Sequence, residues 1–344
     1  MAVAEETDRQ LAPRLRDFAG QGAVFAGLMQ TLQAGTYVHA YLLCGMRGVG
    51  KRSLARGMAQ YILCRGDKTD EPCGTCPSCV RMQDGTHPAL VTLPPEKDKK
   101  SITVDQMRAF VARAGEHTYE GGRRVLLIEQ AERMNPQAQN ALLKTLEEPQ
   151  AENVFLLVCE DPALLLPTIV SRCRVIKLHP WPDEAVSAAL ERAQTPPEHR
   201  AEAVHLEGGS IGQAMEMAGD EAFWQRRKEV MTDFFSLTSR TPILSVSNRW
   251  KDRKDHAEEL LRDVEEMIRT LWLVHAGRLD RRAIASFPAH WQRLACGADD
   301  AAFSRLLEAV FEARKRRANQ VTWQAVVEGL LLHMTEEVQP WSKS

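Results

Sequence analysis

The sequence predicts an α/β domain built on a mainly parallel sheet, followed by an all-helical region. Three observations carry that expectation. Tyr41-Leu42-Leu43-Cys44 is a short apolar run, followed by the glycine-rich turn Gly45-Met46-Arg47-Gly48-Val49-Gly50-Lys51 and a helix-forming stretch from Leu54 to Leu63. Val125-Leu126-Leu127-Ile128 and Val154-Phe155-Leu156-Leu157-Val158 are unbroken apolar runs, as strands buried on both faces are, and the helical pattern Asn135 to Glu148 lies between them, closed by Pro149. That βαβ succession implies parallel neighbours. Finally, Pro180-Trp181-Pro182 interrupts the alternation, and every later segment reads helical: Asp183 to Ala193, Glu198 to Leu206, Ile211 to Ala218, and long stretches to residue 338. Turn clusters at Gly208-Gly209-Ser210 and Ser239-Arg240-Thr241-Pro242 punctuate these helices.

The first strand, turn and helix have the form of a phosphate-binding loop. Glycines let backbone N–H groups curl around phosphate oxygens, and the helix N-terminus adds partial positive charge. Lys51 would reach the outer phosphates; without a ligand it is a solvated loop lysine. The next position ordinarily supplies a hydroxyl for Mg²⁺, and here it is Arg52. A guanidinium has no acceptor lone pair and cannot coordinate a cation.

Just beyond that helix, Cys64, Cys73, Cys76 and Cys79 give the spacing C-x8-C-x2-C-x2-C. Four thiolates at this spacing can close a tetrahedral Zn²⁺ site with no position left for water, which makes such a zinc structural. Gly74 and Pro77 supply tight turns between the ligands. An iron–sulfur cluster also uses closely spaced cysteines, and a metal-free group of loop thiols is the third alternative. The isolated Cys44, Cys159 and Cys173 read as small buried residues.

Bulk properties bound the function classes. With 344 residues the chain can form two or three domains, and 44% hydrophobic and 26% charged residues are those of a globular protein. A formal charge of −2 provides no whole-molecule attraction to nucleic acid. No apolar run approaches the roughly 20 residues that span a bilayer, and Met1-Ala2-Val3-Ala4-Glu5-Glu6 lacks the features of a signal peptide. A cytoplasmic location is expected, with cysteines present as thiols or metal ligands.

Several of these runs resemble one family. They are His39-Ala40-Tyr41-Leu42-Leu43 ahead of the loop, the cysteine insertion, Gly85-Thr86-His87-Pro88, Asn140-Ala141-Leu142-Leu143-Lys144-Thr145-Leu146-Glu147-Glu148-Pro149 and Ser171-Arg172-Cys173. Together they are similar to the clamp-loader subunits of bacterial DNA polymerase III, an AAA+ family. The resemblance is specific over roughly residues 20–220 and weaker in the C-terminal helices, at Ala318-Asn319-Gln320 and Val327-Glu328-Gly329-Leu330-Leu331-Leu332. It implies an AAA+ P-loop NTPase-like domain over 1–180 with a zinc module near 64–79, a small helical lid over 181–221, and an all-α collar over 222–344. It also implies partners: gamma/tau and delta subunits in a hetero-pentameric ring, which loads the sliding clamp onto primed DNA.

The family has a motor branch that hydrolyses ATP and a delta-prime branch that usually does not. Four positions separate them. Arg52 replaces the metal-holding hydroxyl. Glu129-Gln130 stands where the motor carries Asp-Glu, and Gln130 cannot accept a proton. Cys159-Glu160 stands near hydroxyl residues that sense the γ-phosphate. Gly212, in Gly209-Ser210-Ile211-Gly212, stands where a phosphate-binding Arg belongs. All four point to the delta-prime branch, a non-hydrolysing arm, with an active gamma/tau-like ATPase as the alternative. The resemblance then implies structural Zn²⁺ on the four cysteines, no Mg²⁺ site, and a degenerate phosphate loop at Gly45, Gly48, Gly50 and Lys51.

Arg172 by itself reads as a surface cation. The resemblance places the Arg of Ser171-Arg172-Cys173 at the subunit boundary, as an arginine finger toward the neighbour's ATP. In the run from Asn140 to Pro149, Leu142, Leu143 and Leu146 form a core face. Arg314-Lys315-Arg316-Arg317 ends a helix that buries Phe303, Leu306, Leu307 and Val310. Basic residues there suit the helix dipole, with a DNA-facing patch as the rival reading.

Overall fold

The computed structural model describes residues 14–95, 101–115, 122–149, 152–237, 243–279, 281–285 and 287–342. The N-terminal run Met1 to Glu6 and the turn cluster Ser239 to Pro242 lie outside the described residues. The chain divides into two compact units, Met1–Gly219 and Asp220–Ser344.

The first unit is built on five strands: β1 (Ala40–Cys44), β2 (Leu90–Leu93), β3 (Arg124–Ile128), β4 (Asn153–Cys159) and β5 (Arg174–Lys177). Their order is β2-β3-β4-β1-β5, and each neighbouring pair is parallel. β1, β3 and β4 are buried along their whole length, which explains their unbroken apolar sequences. Helices α1 (Ala23–Gln33), α2 (Lys51–Leu63), α3 (Pro77–Gln83), α4 (Val104–Ala114), α5 (Pro136–Glu147) and α6 (Pro167–Val170) accompany the sheet. On one face, alternate residues Leu42 and Cys44, Leu126 and Ile128, and Phe155 and Leu157 pack with Met107 and Phe110 of α4 and with Leu142 and Leu146 of α5. Across the sheet, α2 contacts β1, β3 and β4, with Leu54, Ala55, Met58, Ala59 and Ile62 buried at helical spacing. Both faces are thus covered, as a parallel sheet requires.

Asn135 starts α5 by accepting the Ala138 N–H at 2.8 Å, with Pro136 in the first helical position. Leu143 is only partly buried against the core, because it sits at the margin of the α5 stripe rather than at its centre. Cys44 and Cys159 are buried, but Cys173 is only partly so; it ends the turn between α6 and the edge strand β5. Enough of it is covered that burial pushes its thiol up to about 12.

Three short helices complete this unit: α7 (Asp183–Arg192), α8 (Pro197–Leu206) and α9 (Ile211–Ala218), which pack on one another. The second unit contains α10 (Glu221–Phe235), α11 (Ile243–Lys251), α12 (Ala257–His275), α13 (Ala289–Gly297), α14 (Asp300–Ala318) and α15 (Trp323–Ser342). Trp250, Trp291 and Phe303 are fully buried among them. Several of its buried polar groups pair with one another: Asp233 accepts from Trp250 Nε1 at 2.9 Å and Arg249 Nε at 2.9 Å, and Arg227 pairs with Asp263 out of solvent. Phe303, Leu306 and Val310 are buried on α14, whereas Leu307 only flanks the core. No described helix is long and apolar enough to cross a membrane.

Candidate functional site

The glycine-rich turn leaves the C-terminal end of β1, and open parallel sheets hold their ligands outside the carboxyl ends of their strands. Gly45, Gly48 and Gly50 all have positive φ. At Gly48 the requirement is also one of space, since a Cβ would sit 2.2 Å from Ser210 Oγ. Lys51 is buried, and its ammonium donates to Gly45 O at 2.7 Å and Met46 O at 2.8 Å. Burial lowers its pKa, opposed by the nearby Glu160 and Glu132 carboxylates.

The loop is held by its own chain. Leu178 N–H donates to Cys44 O, Ser210 Oγ to Arg47 O, Gly212 N–H to Gly48 O and Trp181 Nε1 to Val49 O, at 2.8, 2.9, 2.8 and 2.9 Å respectively. With the two Lys51 bonds, every carbonyl from Cys44 to Val49 accepts an internal hydrogen bond. Ser210 also caps α9, so the N-terminus of that helix is seated on the loop. Gly212 therefore contacts the loop directly, at the position where the resemblance expects a phosphate-binding arginine.

Arg52 lies in the place of the missing hydroxyl. Its Nε meets Glu129 Oε1 at 2.7 Å, and Arg56 Nη2 approaches the same oxygen at 3.6 Å. The Glu129 side chain is only 8% exposed, so a buried carboxylate that could have faced a metal faces two guanidiniums instead. Gln130 is in the left-handed region with φ 52°, and its Oε1 accepts from Arg133 Nη1 at 3.1 Å. The donor set does not fit Mg²⁺: Arg52 offers no acceptor, and Glu129 is already paired.

The cysteine spacing closes in space. The Sγ atoms of Cys64, Cys73, Cys76 and Cys79 all lie within 4.8 Å of one another. Zn–S bonds of about 2.3 Å in a tetrahedron give sulfur separations near 3.8 Å, so the group fits a four-thiolate zinc with a small contraction. Cys64 ends α2, while Cys76 caps α3 and accepts the Cys79 N–H at 3.4 Å. Backbone N–H groups also point at two other sulfurs: Cys73 N at Cys64 Sγ, and Cys76 N at Cys73 Sγ. Burial pushes the Cys76 thiol up, but hydrogen bonds from Arg65, Cys79 and Cys73 outweigh it and bring the thiol down to about 6. Burial holds Cys79 up at about 12, where a bound cation would have to deprotonate it. Behind the sulfurs, Ala89 N–H donates to His87 Nδ1 at 3.1 Å, which leaves the ring proton on Nε2 facing Ser78 Oγ at 2.7 Å. Ser78 Oγ in turn donates to Leu63 O at 2.6 Å, so the Gly85-Thr86-His87-Pro88 run anchors the module to α2.

Arg172 stands well away in sequence, in the turn between α6 and β5. Its side chain is 34% exposed, with Nη1 donating to Thr168 O at 3.0 Å and Nη2 meeting Glu147 Oε1 at 2.7 Å. Neither the Glu147 contact, the Arg56 contact nor the seating of Ser210 and Trp181 on the loop is among the sequence expectations. The basic run on α14 faces acids of α12: Arg314 pairs with Glu258 and Glu265, and Arg317 with Glu258.

Comparison with known proteins identifies the family. The family model described as "DNA polymerase III, delta subunit" matches residues 20–182. A Haemophilus influenzae protein named DNA polymerase III subunit delta′ is 36% identical over 227 residues, covering 65% of this chain and 68% of that one. The chain belongs to the DNA polymerase III delta-prime family. A delta′ subunit of Pseudomonas aeruginosa is 43% identical over 197 residues, 56% of this chain, and the match spans 60% of that relative's length. The delta′ subunit of Bacillus subtilis is more distant, 26% identical, but aligns over 98% of this chain and 100% of its own length. That alignment runs through the helical second unit as well as through the sheet.

Proposed function

We propose that this chain is the delta-prime arm of a clamp loader, a subunit that hydrolyses no ATP itself and supplies Arg172 to the nucleotide of a neighbouring subunit. The observation that carries the reading is the Arg52–Glu129 pair. A guanidinium occupies the position from which a hydroxyl would hold Mg²⁺, and it pairs with the buried Glu129 carboxylate that could otherwise face the metal. Gln130, turned to Arg133, offers no general base for an attacking water. Gly212 offers no charge to a γ-phosphate and gives its N–H to the loop instead. Whatever phosphate the loop accepts, the chain's own groups do not activate it.

In this reading residues 1–180 form the AAA+ domain with its zinc module, 181–221 the lid and 222–344 the collar. The partners are gamma/tau and delta subunits in a hetero-pentameric ring, acting on the sliding clamp and primed DNA. The mutual packing of α7, α8 and α9 supports a separate lid, and the four convergent thiols support structural Zn²⁺. The ring work would fall to Arg172. Its guanidinium is partly exposed and keeps N–H donors beyond the two it uses internally, as a charge-stabilising finger needs.

The test is ATP hydrolysis by the assembled complex carrying Arg172→Ala. Fingers are worth roughly 10³ or more at their own site, but the other sites keep fingers of their own. The expected result is therefore a partial drop in turnover and slower clamp loading, with assembly intact. Arg172→Lys should not restore the rate, because an ammonium lacks the planar fork. Wild-type turnover and loading with Arg172→Ala would reduce the residue to a surface cation.

A further inference from the structure

Arg172 and Glu147 come from elements that are fixed to each other. Glu147 is the last residue of α5, and Arg172 follows α6. Between them, buried Gln139 of α5 accepts the Leu166 N–H at the start of α6 through Oε1 at 2.7 Å and donates through Nε2 to Met134 O at 3.1 Å. This bond ties the first turn of α5 to the start of α6, and the two helices pack against each other, so the end of α5 reaches the turn that carries Arg172, where Glu147 meets it at 2.7 Å.

We propose that Glu147 is the positioning residue for Arg172, orienting its guanidinium for the phosphates of a neighbouring subunit. The proposal rests on the reading of Arg172 as a finger. A guanidinium has five N–H donors in one plane. Glu147 pairs with Nη2 at 2.7 Å, and Thr168 O takes one N–H of Nη1. Nε–H and one N–H on each terminal nitrogen are left for phosphate oxygens. An arginine without these contacts samples many rotamers, and few of them present that edge. The ion pair is about half exposed on the Glu147 side, so it adds little to stability. Its value lies in orientation. In this light Glu147, part of the run from Asn140 to Pro149, has chemical consequence beyond marking a helix end.

The test uses the assembled complex with Glu147→Ala, Glu147→Asp, Arg172→Ala and the Glu147→Ala/Arg172→Ala pair, reading kcat and KM for ATP. A reacting group displaced by about 1 Å can cost on the order of 100-fold at its site, so Glu147→Ala should bring the complex close to the turnover of Arg172→Ala, at unchanged KM. The double variant should be no slower than Arg172→Ala alone, and Glu147→Asp should recover much of the loss. An unchanged melting temperature and unchanged co-purification of Glu147→Ala would separate this from misfolding. Should Arg172→Ala slow the complex while Glu147→Ala turns over at or above the wild-type rate, the positioning role is overturned and the finger stands. It is equally overturned if the double variant adds a second loss to the first. If Arg172→Ala itself turns over normally, the finger reading fails and the positioning role goes with it.

Discussion

The amide of Gly212 reaches the Gly48 carbonyl at 2.8 Å because no side chain stands between them. A Cβ there would lie 3.0 Å from Gly48 Cα and 3.2 Å from its oxygen. Gly212→Arg, which would restore the missing sensor charge, should therefore displace the loop rather than revive it. Overpacking of this kind costs about 1–3 kcal/mol, visible as a lower melting temperature, with no ATP turnover gained. Magnesium-dependent turnover at wild-type stability would contradict this. Arg52→Thr returns a hydroxyl but leaves Glu129 with Arg56 alone, at 3.6 Å. We expect a loss of about 1–3 kcal/mol, since the buried Glu129 carboxylate loses its close partner, and again no turnover. The departures at 52, 130 and 212 are legible in the sequence because the resemblance implies which functional group each position should carry. The bonds from Trp181 and Ser210 to the loop are not, because they join residues 132 and 163 positions apart.

Among elements, the cysteine module is the one whose sequence spacing translates most directly into geometry. Four sulfurs converge where the two short C-x2-C steps meet the end of α2. With a structural zinc on these thiols, as proposed, a chelator should lower the melting temperature of the native chain, because the binding energy of such a zinc is folding energy. A chelated protein with unchanged melting would argue against a zinc that supports the fold. Gly66→Ala tests the same module without replacing a ligand: the new Cβ would sit 2.7 Å from Cys73 Sγ. It should weaken zinc retention in a competition with a chromophoric chelator, whereas Gly74→Ser, which meets no atom within 4 Å, acts only through backbone strain at its positive φ. The strands were legible in proportion to their burial. β1, β3 and β4 are covered on both faces and read as apolar runs, whereas β5 lies at the sheet edge with Arg174, Val175 and Lys177 exposed. Short charged edge strands lack the pattern that identifies a buried one. The α14 basic run is legible as a helix end, and its acidic partners Glu258 and Glu265 on α12, distant in sequence, are not.

At the scale of the whole molecule, the formal charge of −2 and the internal pairing of Arg314 and Arg317 leave little drive toward DNA in the isolated chain. Arg314→Ala/Arg317→Ala should accordingly cost stability, about 0.5–1 kcal/mol, while leaving any DNA binding of the purified chain unchanged. A marked loss of DNA affinity would make α14 a nucleic-acid face. The change of sequence pattern sets the sheet-bearing part apart from the helices, and the boundary between the two compact units falls at Gly219, after α7, α8 and α9. The proline break marks the end of the sheet, and α7, α8 and α9 remain with the first unit because Ser210, Gly212 and Trp181 bind them to the phosphate loop. Loss of hydrolysis is the property on which the arm reading turns. The most direct measurement is steady-state ATP hydrolysis by the purified chain, with and without Mg²⁺. The expected result is no turnover above background in either condition; robust magnesium-dependent turnover by the chain alone would contradict it and identify a motor.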